Sequence, residues 1–158
     1  PLRTARLQPT RRQPAAAVPE EMKRWLAAPE DYALERTADG RVRALPRAFR
    51  DVVTELEAHV HVLTAGVPLG EVKGRDAVPS AALALSSALR PEAFATVDLP
   101  RLEALRYLRR EALSLPADVP RGYVLAAYGG LPLGFMKQLG PRANNLFPDE
   151  WRIRKTLT

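Results

Sequence analysis

The side chains best equipped for chemistry are scarce in this sequence. Cysteine is absent, which removes disulfides, thiolate metal sites and cysteine nucleophiles together. The only imidazoles are His59 and His61. Spaced i, i+2 on an expected strand they share a face and could hold a metal, but no third ligand is in view; a partly buried strand edge accounts for them better. Ser80, Ser86, Ser87 and Ser114 lack a base nearby in sequence, and the carboxylate pairs Glu20/Glu21 and Glu55/Glu57 read as solvated helix faces. Dinucleotide and phosphate glycine loops, the zinc-protease helix and the nucleophile elbow are all missing. No catalytic residue, metal ligand or cofactor site is therefore assigned, and the chemistry left to consider is that of positive charge.

That charge is unevenly placed. The formal net charge is +6, yet residues 1–24 carry six basic and two acidic side chains, and residues 137–158 carry five and two, so the body between them is near neutral. A basic excess at both ends of a near-neutral body suits a polyanion such as RNA, or simply a solvated surface. Within it, Lys73 and Lys137 stand out because they close two copies of one phrase. Gly66-Val67-Pro68-Leu69-Gly70-Glu71-Val72-Lys73 aligns without gaps on Gly130-Leu131-Pro132-Leu133-Gly134-Phe135-Met136-Lys137. The glycines and prolines are what a tight turn needs. A hairpin does not need the lysines, which makes them contact candidates.

The elements that would position these charges follow from pattern. Residues 1–19, with four prolines, four arginines and no acid, read as an extended basic linker. A short helix follows, with Met22, Trp25 and Leu26 on one face. Asp39-Gly40 sits in a hairpin turn. Phe49, Val52, Val53 and Leu56 fall at helical spacing. The segment from Val60 to Lys73 reads as strand, turn, strand, and Ser80 caps a small-residue helix. The pattern then restarts: strand 95–99, a helix opening at Asp98 and Pro100 with Leu102, Leu105, Leu108 and Ala112 on one face, and again strand, glycine turn, strand. A last strand through Trp151-Arg152-Ile153-Arg154 is expected to return beside the first, with Trp151 and Ile153 inward. The fold class is thus α+β: two tandem small modules, 20–95 and 96–158, with mixed, barrel-like sheets and flanking helices. No apolar run approaches the ~20 residues of a membrane span and no signal peptide opens the chain, so no membrane partner and a cytoplasmic location are expected.

The second copy, running from Arg121 through the ending Asn145-Leu146-Phe147-Pro148-Asp149-Glu150-Trp151-Arg152, resembles the PUA-like RNA-binding domain of RsmF-type 16S rRNA cytosine-C5 methyltransferases. The Pro79-Ser80-Ala81-Ala82-Leu83-Ala84-Leu85 helix and the upstream glycine turn resemble the module preceding it, so the likeness spans about residues 20–154. This chain departs from the pattern at Ala81 (often histidine), Arg110 (usually glycine), Asn144 (usually lysine), Phe147 (tyrosine) and Asp149 (often lysine). In that family a cysteine thiolate attacks the base, S-adenosylmethionine supplies the methyl group and a second cysteine assists release. A chain without cysteine cannot be that catalytic domain. The resemblance implies an RNA-binding portion serving a catalytic domain in cis that precedes Pro1, with small-subunit rRNA or its precursor as partner. It further implies an RNA surface of Lys73, Arg75, Lys137, Arg142, Asn145, Arg152 and Arg154 acting on phosphates and shape. Asn145 reads equally well as a turn cap. The alternative is a module that docks on its catalytic domain or a ribosomal protein.

Overall fold

The computed structural model describes residues 17–37 and 39–155, so most of the expected linker lies outside the described residues. The first half opens with α1 (Glu20–Arg24), which buries Met22, and the chain directly after it buries Trp25 and Leu26. Strands β1 (Tyr32–Arg36) and β2 (Arg41–Pro46) form the expected hairpin over Asp39-Gly40. Then come α2 (Arg50–His59), β3 (Val67–Lys73), β4 (Asp76–Pro79) and the single turn α3 (Ala81–Ala84). Ser80 caps α3 as its sequence position implies, its Oγ accepting the Leu83 N–H at 3.1 Å. The second half runs β5 (Ala95–Asp98), α4 (Arg101–Leu108), β6 (Gly122–Tyr128), β7 (Leu131–Gln138) and β8 (Ala143–Asn145).

Two four-stranded sheets result, β1-β2-β3-β4 and β5-β6-β7-β8. The first is antiparallel throughout; in the second, β5 lies parallel to β6 because α4 forms a crossover between them. Mixed α+β modules are thus what the molecule contains, but the sheets stay open and do not close as barrels. The missing closure has a local cause. Residues 149–151 form a 3₁₀ turn after Pro148, not a strand, and the Ile153 N–H goes to the Leu108 carbonyl at the end of α4. Trp151 and Ile153 are accordingly exposed, 47% and 37%, instead of inward. The expected strand at 60–63 is likewise absent: His59 ends α2, His61 lies in the loop beyond, and β2 occupies that place beside β3. On α4 the buried side chains are Ala104 and Tyr107, while Leu102 is 60% exposed.

The duplicated phrase is duplicated in backbone detail. Both copies are strands, with Gly66 and Gly130 at φ 74° and 77° and Gly70 and Gly134 at φ 155° and 153°. In the first copy Val42 pairs with Gly70 and Arg43 with Pro68, so Leu69 is the extra residue of a β-bulge. In the second, Ala126 pairs with Gly134 and Ala127 with Pro132, leaving Leu133 in the same role. The approach to each strand differs. Gly129 and Gly130, both at positive φ, make a two-residue hairpin from β6 to β7, whereas α2 and a loop separate β2 from β3.

One apolar core joins the halves. Met22, Trp25, Leu26, Val42, Leu69 and Leu83 pack with Leu125 and Phe135 of the second sheet. A second core, with Tyr107, Ala126, Met136 and Phe147, lies on the opposite face of that sheet, under α4.

Candidate nucleic-acid interface

Alternation along β7 decides where its charge goes. Phe135 and Lys137 point toward the first sheet; Met136 and Gln138 point toward α4. Tyr123 stands opposite Lys137 on β6. The Lys137 ammonium lies 4.8 Å from the Tyr123 ring centroid, 3.2 Å from its Oη, and on the carboxylate of Asp76. Tyr123 Oη also donates to Asp76, at 2.9 Å. The Lys137 ammonium, and then the Tyr123 hydroxyl, hold the Asp76 carboxyl below the usual carboxylate range, while Asp76 raises Lys137. Burial raises the Tyr123 phenol.

Asp76 pairs across the ladder with Lys73, and Gly74-Arg75 is the two-residue turn between them. Lys137, remote in sequence, is therefore brought beside the turn that carries Lys73 and Arg75. Lys73 remains 66% exposed, its ammonium 2.5 Å from Glu71. Beyond the Tyr123–Lys137 pair, Arg121 precedes β6 and lays its guanidinium over Gly140, where a Cβ would lie 3.1 Å from Nη2. Arg142 is in the same loop, its carbonyl accepting the Leu139 N–H. Among the described residues Arg75, Arg121 and Arg142 are exposed and have no carboxylate at ion-pair distance. This end of the molecule thus presents unneutralised guanidinium groups.

Arg152 and Arg154 belong to a separate group on the α4 side of the second sheet, so the expected single basic face is in fact two. The helix ends with Glu111 N–H to Arg106 C=O at 3.0 Å and Arg110 N–H to Tyr107 C=O at 2.9 Å, a Schellman closure with Arg110 in the left-handed position at φ 63°. Arg110 and Arg152 share the Asp149 carboxylate at 3.2 and 3.3 Å. Arg109 pairs with Glu111 at 2.7 Å and reaches the Lys155 carbonyl. Asn145 spends its amide within the chain: Nδ2 donates to the Tyr107 and Glu111 carbonyls at 2.8 and 3.1 Å, and Oδ1 accepts the Phe147 N–H at 2.9 Å. It ties the tail to the helix end.

Sequence reasoning missed Arg121, Arg110, Tyr123 and Trp151. Arg110 had a signal, since glycine usually stands there and a glycine just past a helix marks a left-handed cap. Asp76 and Tyr123 had none, because their partner is across the sheet boundary. Among the described residues no cluster of three His, Asp or Glu could hold a metal, and no helix is long and apolar enough to cross a membrane.

Residues 94–153 match the family model for the methyltransferase RsmF PUA domain. Over 126 residues the chain is 31% identical to ribosomal RNA small subunit methyltransferase F of Shewanella sp. (strain W3-18-1), and equally to that of Shewanella putrefaciens (strain CN-32). The overlap takes in 78% of this chain and 25% of each relative, so the chain spans about a quarter of the length of the curated relatives it matches.

Proposed function

We propose that this chain, whose residues 94–153 form a PUA-like region of the RsmF type, is the RNA-binding region of a small-subunit rRNA cytosine-C5 methyltransferase. Its role is to hold 16S rRNA or its precursor for a catalytic domain in the same polypeptide. S-adenosylmethionine and the thiolates that cytosine-C5 transfer requires belong to that remainder, since this sequence has no cysteine. The observation that carries the reading is the group of exposed guanidinium groups without carboxylates at the β3–β4 turn and the β7–β8 loop. Arg75, Arg121 and Arg142 neutralise phosphates there with Lys73, and Lys137 braces the site through Asp76. Arg152 and Arg154 add a second contact region, with Asn145 as a positioning residue.

A salt series of mobility shifts with a small-subunit rRNA fragment tests this. Each phosphate contact to a single strand contributes a slope of about −0.7 in log K against log salt. Alanine at Arg75, Arg121 and Arg142 together should flatten the slope by about two and weaken all sequences alike. An unchanged slope in a folded triple variant would remove the site from this surface.

A second reading, protein docking, is favoured by α2. Its half-buried residues are Val53 and Thr54, while Glu57 is held by Arg43 at 2.5 Å and Arg50 reaches Glu35 at 3.3 Å. The apolar stripe Phe49, Val52, Leu56 and Val60 is left 49–61% exposed, and Leu63 beyond it 86%. A continuous exposed stripe of this kind marks an interface. The occupant we assign is the remaining three-quarters of a protein of the relatives' length. It complements RNA binding, because the two surfaces do not share residues.

A further inference from the structure

We infer that Trp151 is a stacking platform for an unpaired nucleobase, so that the RNA met by the α4 side of the second sheet is single-stranded. The inference rests on the RNA-binding reading and specifies its ligand. An indole that is 47% exposed at the end of a tail could simply be loose, but this one is built in. Tyr107 is fully buried; its ring meets Phe147 at 5.5 Å and 64°, and Phe147 meets Trp151 at 6.2 Å and 72°. This ladder of three rings runs from the core to the surface and ends on the exposed one. Tyr107 is fixed in turn by its Oη hydrogen bond to the Phe135 carbonyl at 3.1 Å, and the tail beyond Trp151 by the Ile153 N–H on the Leu108 carbonyl at 2.9 Å.

The charges beside the indole suit a nucleotide and not another apolar surface. Arg110 and Arg152 share the carboxylate of Asp149, and with Arg154 and Lys155 set against Asp149 and Glu150 the surroundings of the indole keep a positive excess. Arg154, two residues on, is exposed and has no carboxylate at ion-pair distance among the described residues. A π-face flanked by guanidinium groups binds a base by stacking and the adjoining phosphates by charge. Bases within a duplex keep their faces covered by their neighbours. Only a loop, bulge or free strand can offer one to Trp151.

Trp151 supplies its own reporter. The chain has two tryptophans, and Trp25 is 6% exposed in the core, so quenching by a bound base reads Trp151. The experiment titrates the chain with an unstructured oligoribonucleotide and with a blunt RNA duplex of equal length, following emission and binding together. The single strand should quench emission and the duplex should not. Trp151→Leu should weaken single-strand binding about ten- to hundredfold, whereas Trp151→Phe, which keeps a π-face, should recover part of that loss. Circular dichroism checks that both variants fold. Wild-type binding without quenching, or equal affinity of Trp151→Leu, would overturn the stacking role and leave RNA binding intact. Failure of the wild-type chain to bind either RNA would overturn both.

Discussion

Replacing Gly134 by alanine would show whether the duplicated bulge is dictated by its backbone or by what packs on it. A Cβ at Gly134 would stand well under 3.0 Å from Tyr107 Oη and 3.3 Å from Cζ. Tyr107 is fully buried, so its ring can yield only by leaving its rotamer and its hydrogen bond to Phe135. Backbone strain at φ 153° contributes about 1–3 kcal/mol. The displaced rotamer adds about 0.5–1.5 and the lost hydrogen bond about 1, so Gly134→Ala should destabilise by roughly 3–5 kcal/mol. Tyr107→Phe alone should cost about 1 kcal/mol, because the Phe135 carbonyl keeps the Leu146 N–H at 3.1 Å. With the hydroxyl gone the nearest ring atom is at 3.3 Å, tight but tolerable, so alanine at Gly134 should then cost little more than the backbone part. Urea unfolding of the wild type, both single variants and the double variant closes the cycle, with a favourable coupling of about 1 kcal/mol or more expected. Additivity within about 0.5 kcal/mol would refute the steric argument. Gly70→Ala is the control: its Cβ would press on the Val78 backbone carbonyl, so no side-chain deletion should rescue it.

Three further outcomes follow from particular contacts. Arg110→Gly should raise stability by about 0.5–1 kcal/mol, a few degrees in Tm by calorimetry, because it relieves a left-handed non-glycine at a helix end and forfeits only a half-exposed ion pair. The Asp76 carboxyl is depressed in the folded state by Lys137, so its contribution is complete above the unfolded value near 4 and is lost as pH falls through the lower native value. Asp76→Asn should therefore make acid unfolding followed by circular dichroism less steep below about pH 4. Lysine at Val52 and Leu56, both about half exposed or more, should change stability by less than about 0.5 kcal/mol yet abolish, in a pull-down, the association with a catalytic domain proposed above; retained association would sink the docking reading.

The features legible in sequence were those written within a few residues. Ser80, the Asp39-Gly40 turn, the helix after Pro100 and the glycine pair at 129–130 each state their geometry locally, through a cap, a turn or a φ restriction. Misreadings arose where local pattern and non-local pairing disagree. His59-Val60-His61-Val62 alternates like a strand, but α2 runs through His59, its end closed by the Val60 N–H on the Leu56 carbonyl, and β2 has already taken the ladder beside β3. Trp151-Arg152-Ile153-Arg154 alternates too, yet its amide at Ile153 is claimed by the end of α4. The basic groups show the same division: the repeat draws attention to Lys73 and Lys137 in sequence, whereas the position of Arg121 over Gly140 depends on the pairing of β6 and β7.

The core shared by the two sheets bears on what can be inherited or excised as a unit. Phe135 lies against Phe94 at 4.7 Å, and Phe94 against Trp25 at 5.5 Å, so the aromatic contacts of the second sheet pass directly into the opening segment of the first. The Leu26–Leu89 bridge and the Arg90 N–H on the Trp25 carbonyl hold that opening segment in place within the first half. A recombination or a cloning boundary set at residue 94 would sever these aromatic contacts and uncover Leu125 and Phe135, roughly 2–3 kcal/mol of burial for each. The second sheet therefore draws its apolar cover on this face from the first, and the unit that keeps Leu125 and Phe135 buried is the pair of sheets with Trp25 attached.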